Sequence, residues 1–117
     1  MASKILIVDD SESFRVAAAG LLAERGFEVL ATAANGEEAL AAAADGCPDG
    51  ILLDLNLPGP DGFAVATSLA AACPKAKIVL TSVEVDHVPD AMLRACGAGA
   101  FVRKQDLAVT DIGALLT

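Results

Sequence analysis

The sequence predicts one α/β domain, a parallel sheet covered by helices on both faces. Three observations carry this. The 117 residues are enough for one hydrophobic core and too few for two domains. Short aliphatic runs alternate with alanine-bearing helical stretches, and such alternation implies right-handed crossovers onto a parallel sheet. The runs are continuously apolar rather than alternating, as strands buried on both faces must be.

Taken in order, Ile5–Val8 is the first such run. Ser11 or Ser13 can cap a helix reaching Arg25, with Phe14, Ala18, Leu21 and Leu22 along one stripe, and Gly26 stops it. Residues 27–33 form a second strand. Asn35-Gly36 opens a helix over 37–44 whose glutamates suit its first turn. Gly46, Pro48 and Gly50 break the chain before a strand at 51–53, which Asp54 ends. Residues 57–62, Leu-Pro-Gly-Pro-Asp-Gly, read as an irregular loop. A helix over 63–72 stops before Pro74. Lys77–Thr81 is the fourth strand, and 86–96 a helix with Pro89 in its first turn. Residues 100–103 are the fifth strand, and a short helix over 107–116 presents Leu107, Ile112, Leu115 and Leu116.

Composition excludes several classes. The chain is 55% hydrophobic with mean hydropathy +0.57, which a disordered segment could not be. Eight basic against sixteen acidic side chains leave a net charge of −8, so direct binding to nucleic acid or to an anionic membrane is disfavoured. The N-terminal run is too short for a signal-peptide core or a membrane span. Cys47, Cys73 and Cys96 are widely spaced, odd in number and contain no CxxC pair. They read as apolar fillers in a reduced, cytoplasmic chain with no disulfide framework and no structural zinc. The sole histidine, His87, reads as a surface residue.

In a parallel α/β sheet the functional crevice lies at the carboxyl ends of the strands. Those positions carry Asp9 and Asp10, Asp54, Thr81 and Ser82, and Lys104. Singly, each has a bland reading as a cap, a strand-end hydroxyl or a surface lysine. Asp54 stands out because it closes a wholly apolar strand, a costly place for a charge. Together the set has a chemical logic. Clustered carboxylates suit a hard cation such as Mg²⁺, with Mn²⁺ as a substitute. An aspartate can attack phosphorus to form an aspartyl-phosphate, and a lysine and a hydroxyl donor would neutralise the transferred group.

The runs Ile5–Asp10, Leu53–Gly62, Ile78–Ser82 and Gly99–Lys104, in this order, make the chain resemble the CheY-like receiver domains of bacterial response regulators over its whole length, 1–117. The resemblance implies a (βα)5 flavodoxin-like fold with strand order 2-1-3-4-5, an order that the chemotaxis receiver itself exemplifies. It implies Asp54 as phosphoacceptor. It implies Mg²⁺ held by Asp9, Asp10, the Asp54 carboxylate and the backbone carbonyl of Asn56. Lys104, the Thr81 hydroxyl and the Ser82 amide would contact the phosphoryl group, and Phe101 would be the aromatic switch residue. The implied partners are a histidine kinase or a histidine phosphotransfer protein, an output domain or protein partner, and a second copy on phosphorylation. Catalysis would be limited to autocatalytic phosphotransfer and self-dephosphorylation.

Three positions depart from the common pattern. Gln105 rather than proline follows Lys104, so no cis Lys–Pro bond is expected there. The ending Lys104-Gln105-Asp106-Leu107 looks like the receivers of LuxR-type regulators. Phe101 lacks the hydroxyl of the frequent tyrosine, so any switch works through packing. Val83 cannot orient a hydrolytic water, whereas Asn56 could, which implies slow self-dephosphorylation. Two competing functions stand beside this one. An unphosphorylated receiver acting as a binding module would not need the complete acid, hydroxyl and lysine set. An Asp-nucleophile phosphatase of the haloacid dehalogenase type would carry a second Asp where Asn56 stands, and a cap insertion.

Overall fold

A computed structural model describes residues 3–117. It contains β1 (Lys4–Val8), α1 (Glu12–Glu24), β2 (Glu28–Ala33), α2 (Gly36–Asp45), β3 (Gly50–Asp54) and α3 (Gly62–Ala72). Then follow β4 (Lys77–Ser82), α4 (Asp90–Cys96), β5 (Ala100–Arg103), a 3-10 helix (Lys104–Val109) and α5 (Ile112–Leu116). All pairings are parallel and the strand order is β2-β1-β3-β4-β5, as expected.

The central strands are apolar because both faces are covered. Ile5, Leu6, Ile7, Ile51, Leu53 and Leu80 are fully buried. Alternate residues feed two cores. Leu6, Val8, Ile51, Leu53, Ile78 and Leu80 pack under α2, α3 and α4. Ile5, Ile7, Leu52, Val79 and Val102 pack under α1, the 3-10 helix and α5. The edge strand β2 is exposed at every second residue through Leu30 and Thr32, as a strand covered less completely should be.

Helix starts are set by side-chain caps. Ser11, Asn35, Asp61 and Asp111 accept from the N–H groups of Phe14, Glu38, Ala64 and Ala114. Two helices are shorter than the sequence pattern predicts. α4 begins at Asp90, not Asp86, because Pro89 drives the preceding residue out of the helical region and serves as the N-cap itself. The predicted helix over 107–116 divides into the 3-10 segment and a five-residue α5, separated where Asp111 caps a new start.

The cysteine reading is corrected outright. Cys47 and Cys73 are joined in a disulfide, and only Cys96 is free. They lie 26 residues apart in sequence, but the α2–β3 and α3–β4 connections share one end of the sheet, leaving their Cα atoms 5.6 Å apart. Cys73 is 1% exposed, packed in the core under α2, α3 and α4. Among the described residues no helix is long and apolar enough to cross a membrane.

Candidate functional site

The parallel topology delivers the expected residues to one edge. Asp9 follows β1, Asp54 ends β3, Thr81 and Ser82 end β4, and Lys104 follows β5. Asp54 and Thr81 are partners in register across β3 and β4. Asp9, Asp10 and Asp54 can each offer an oxygen, with all three oxygens within 4.8 Å of one another. Asp9 and Asp54 are buried, while Asp10 faces solvent.

Lys104 is the counter-charge. Its Nζ lies 2.6 Å from Asp9 Oδ2 and 3.6 Å from Asp54 Oδ2. The Asp9 contact is close in distance but not aligned as a hydrogen bond, and Asp9 Oδ2 is left with no hydrogen-bond partner. The other Asp9 oxygen accepts from the Ser11 N–H at 2.9 Å. Asp54 Oδ1 accepts from the Asn56 N–H at 3.2 Å. Burial pushes the Asp54 carboxyl above the ordinary aspartate range. The Asn56 bond opposes that, nearby Asp9 and Asp10 add to it, and Lys104 partly offsets it.

These features fit a divalent cation. Three carboxylates converge, one buried oxygen has no hydrogen bond, and a single ammonium serves two buried acids. An all-oxygen cluster of this kind suits Mg²⁺. On the opposite wall, the fully buried Thr81 Oγ1 also lacks a hydrogen-bond partner. It is a donor without an acceptor, beside a carboxylate.

The Ser82 hydroxyl, as distinct from its backbone amide, has a structural role of its own. Its Oγ accepts from the N–H groups of Glu84 and Val85 and from the Asn56 side-chain amide, at 3.0, 3.2 and 3.2 Å. The serine hydroxyl therefore shapes the β4–α4 connection, and the Asn56 side-chain amide donates to it across the site. Phe101 is half-buried and packs against the core under α3 and α4, in register with Leu80, one residue short of Thr81's partner Val102. His87 is exposed in the β4–α4 connection, as expected.

Two contributors were missed in the sequence. Arg15 in α1 donates to the Asp9 carbonyl at 2.7 Å, fixing the acidic turn. Phe14, assigned only to the helix's apolar stripe, places its ring centroid 4.3 Å from Lys104 Nζ. A cation over a ring face is attracted to it. The available signal was position: both residues sit one turn into the helix that follows the acidic pair.

The fold and strand-end cluster define a doubly wound parallel α/β domain with a cation-suited acidic pocket, and the comparisons make the class specific. The response regulator receiver domain model matches residues 5–112, so the chain belongs to the response regulator receiver family. It is 34% identical over 106 residues to the chemotaxis protein CheY of Bacillus subtilis, covering 89% of this chain and 87% of that protein. It is 34% identical to the response regulator GacA of Pseudomonas syringae, covering 90% of this chain and 50% of GacA. A protein-glutamate methylesterase/protein-glutamine glutaminase of Archaeoglobus fulgidus is also 34% identical, covering 96% of this chain but only 32% of the enzyme. The chain thus spans a third to a half of these longer relatives. Among solved structures, the Vibrio cholerae chemotaxis protein CheY4 superposes with a TM-score of 0.85 at 31% identity, covering 98% of this chain and 97% of that one. A LuxR-family response regulator from Aurantimonas superposes with a TM-score of 0.84 at 27% identity, covering 97% and 82%.

Proposed function

We propose that this chain is a phosphorylation-controlled switch in which Asp54 accepts a phosphoryl group from a histidine kinase or histidine phosphotransfer protein. One observation carries the reading. A buried carboxylate is flanked by a lysine at 3.6 Å and, in register on the next strand, by a buried hydroxyl with no partner. Asp9, Asp10, the Asp54 carboxylate and the Asn56 carbonyl would hold Mg²⁺, or Mn²⁺ in its place. When bound, the ion supplies neutralisation of the charge on the transferring group.

The chain's own residues do the rest. An oxygen of Asp54 attacks phosphorus, and the donor histidine nitrogen leaves. Lys104 turns from Asp9 toward the phosphoryl oxygens, and the Thr81 hydroxyl donates to one of them. The Ser82 amide donates to the same group. The added charge of about −1.5 to −2 is strong enough to bias a local packing choice. Movement of Thr81 frees space for Phe101 to turn inward by packing alone. The surface formed by α4, β5 and the 3-10 and α5 segments then changes for an output domain, a protein partner or a second copy. Catalysis is confined to phosphotransfer onto Asp54 and its self-hydrolysis, and the work is done in the cytoplasm.

Intact mass after incubation with acetyl phosphate tests this. Wild type with Mg²⁺ is expected to gain one phosphoryl group, and Asp54→Asn none. An equal gain on Asp54→Asn, or a gain independent of divalent cation, overturns the assignment.

A further inference from the structure

The sheet end opposite Asp54 carries a second chemically distinct feature. There the Cys47–Cys73 pair joins the α2–β3 and α3–β4 connections. The two cysteines differ in access: Cys73 is 1% exposed within the core, whereas Cys47 is an exposed residue. Cys96 is buried elsewhere, with its thiol donating to the Leu93 carbonyl, so it does not compete.

Cys47 also lines an open cavity of about 570 Å³ together with Lys4, Lys75 and Lys77. Of the eight basic side chains, Arg15, Arg25, Arg103 and Lys104 direct their charge to backbone carbonyls or carboxylates. Among the described residues, the ammonium groups of Lys4, Lys75 and Lys77 make no ion pair, and all three lysines are exposed. Asp49 places a side-chain carboxylate in the cavity wall, and it accepts from the Lys4 backbone N–H at 2.7 Å. A chain of net charge −8 therefore groups three lysines in the cavity lined by the exposed cysteine of its disulfide.

We propose that Cys47–Cys73 is a site of reversible thiol–disulfide exchange that takes an anionic low-molecular-weight disulfide, one whose thiol halves bear carboxylates. The cavity has the volume of a small-ligand site and its lysines match the carboxylates. In closure, the Cys47 thiolate attacks one sulfur of the small disulfide. That S–S bond breaks, one small thiol leaves, and a mixed disulfide forms at Cys47. The Cys73 thiolate then attacks Cys47 Sγ and expels the second small thiol. Two protein thiols are oxidised by two electrons and one small disulfide is reduced to two thiols, which take up the two protons. Opening is the reverse, with entry again at Cys47.

The test uses fully reduced protein at low ionic strength, mixed with glutathione disulfide (net anionic), cystamine (cationic) or bis(2-hydroxyethyl) disulfide (neutral). Alkylation and peptide mapping follow closure of the pair. Net charge alone would favour cystamine; the local lysines are expected to make glutathione disulfide the faster reagent. The double variant Lys75→Gln, Lys77→Gln is expected to lower the glutathione-to-cystamine rate ratio at least about threefold. Cys73→Ser is expected to accumulate a glutathione adduct at Cys47. Cystamine proving faster with a ratio unchanged in the double variant would overturn the proposal. So would a pair that stays open to alkylation with all three reagents. The wild-type rates decide the matter even if Cys73→Ser fails to fold.

Discussion

At the scale of single residues, the site holds two side chains that destabilise the resting fold. Asp54 is the first. Its carboxyl is raised above the ordinary range chiefly by burial, so the metal-free folded state holds a proton there more tightly than the unfolded chain does. For a raised carboxyl, the stabilising contribution is present below the unfolded aspartate pKa and is lost as pH rises through the folded value. Asp54→Asn, which carries no charge, is therefore expected to raise the stability of metal-free protein at pH 7. The gain should shrink steadily on acidification toward pH 4. Urea unfolding at several pH values in a chelator checks this, and a gain that grows with acid would contradict it. Thr81 is the second, a buried hydroxyl without a partner. Thr81→Val keeps the shape and removes the unmet polar group, so metal-free protein should gain about 1 kcal/mol. The same variant should lose the phosphoryl-dependent change at Phe101, read by fluorine NMR of labelled phenylalanine.

At the scale of elements, helix packing sets how closely the loop after Asp54 can be held. Gly62 opens α3 directly against β3's exit: an added Cβ would overlap Leu55 Cα and stand 2.8 Å from the Asp54 carbonyl oxygen. Both obstacles are backbone, so Gly62→Ala must displace α3 or the loop. It is expected to destabilise by about 2 kcal/mol and to slow phosphoryl uptake, measured by denaturation and by intact mass. Gly62 also shows what was legible in advance. Its place in a turn could be read from Leu-Pro-Gly-Pro-Asp-Gly, but the need for bare backbone arises only from the close approach of α3. The strands and acidic cluster were legible because continuous apolar runs and strand-end carboxylates are local patterns. The starts of α4 and α5 were not. Periodicity carries through Pro89 and Asp111, where backbone restriction and a side-chain cap reset the helix. Phe14 was legible as core, while its place against Lys104 depends on α1 meeting the segment after β5.

At the scale of the whole molecule, the two ends of the sheet carry clusters of opposite charge. The carboxyl end gathers Asp9, Asp10 and Asp54; the amino end gathers Lys4, Lys75 and Lys77 beside a disulfide. Widely spaced cysteines hid that pairing, because only the βα winding returns residues 47 and 73 to the same edge. The bond closes a loop of about 26 residues and so restricts the unfolded chain, a stabilisation on the order of 3 kcal/mol in the chain-entropy account. For a domain of this size that corresponds to about 10 °C in Tm. Reduction should therefore lower Tm by roughly that amount in calorimetry. A Cys47→Ser variant should melt near the reduced protein and ignore reductant. The acidic cluster is fixed by Lys104, Arg15 and the Asn56 N–H, none of which touches the cysteine pair. Phosphoryl uptake from acetyl phosphate, measured well below either Tm, should consequently be the same in oxidised and reduced protein. A loss of uptake on reduction at such a temperature would mean that α3, which runs from the Asp54 loop to Cys73, transmits strain between the two ends.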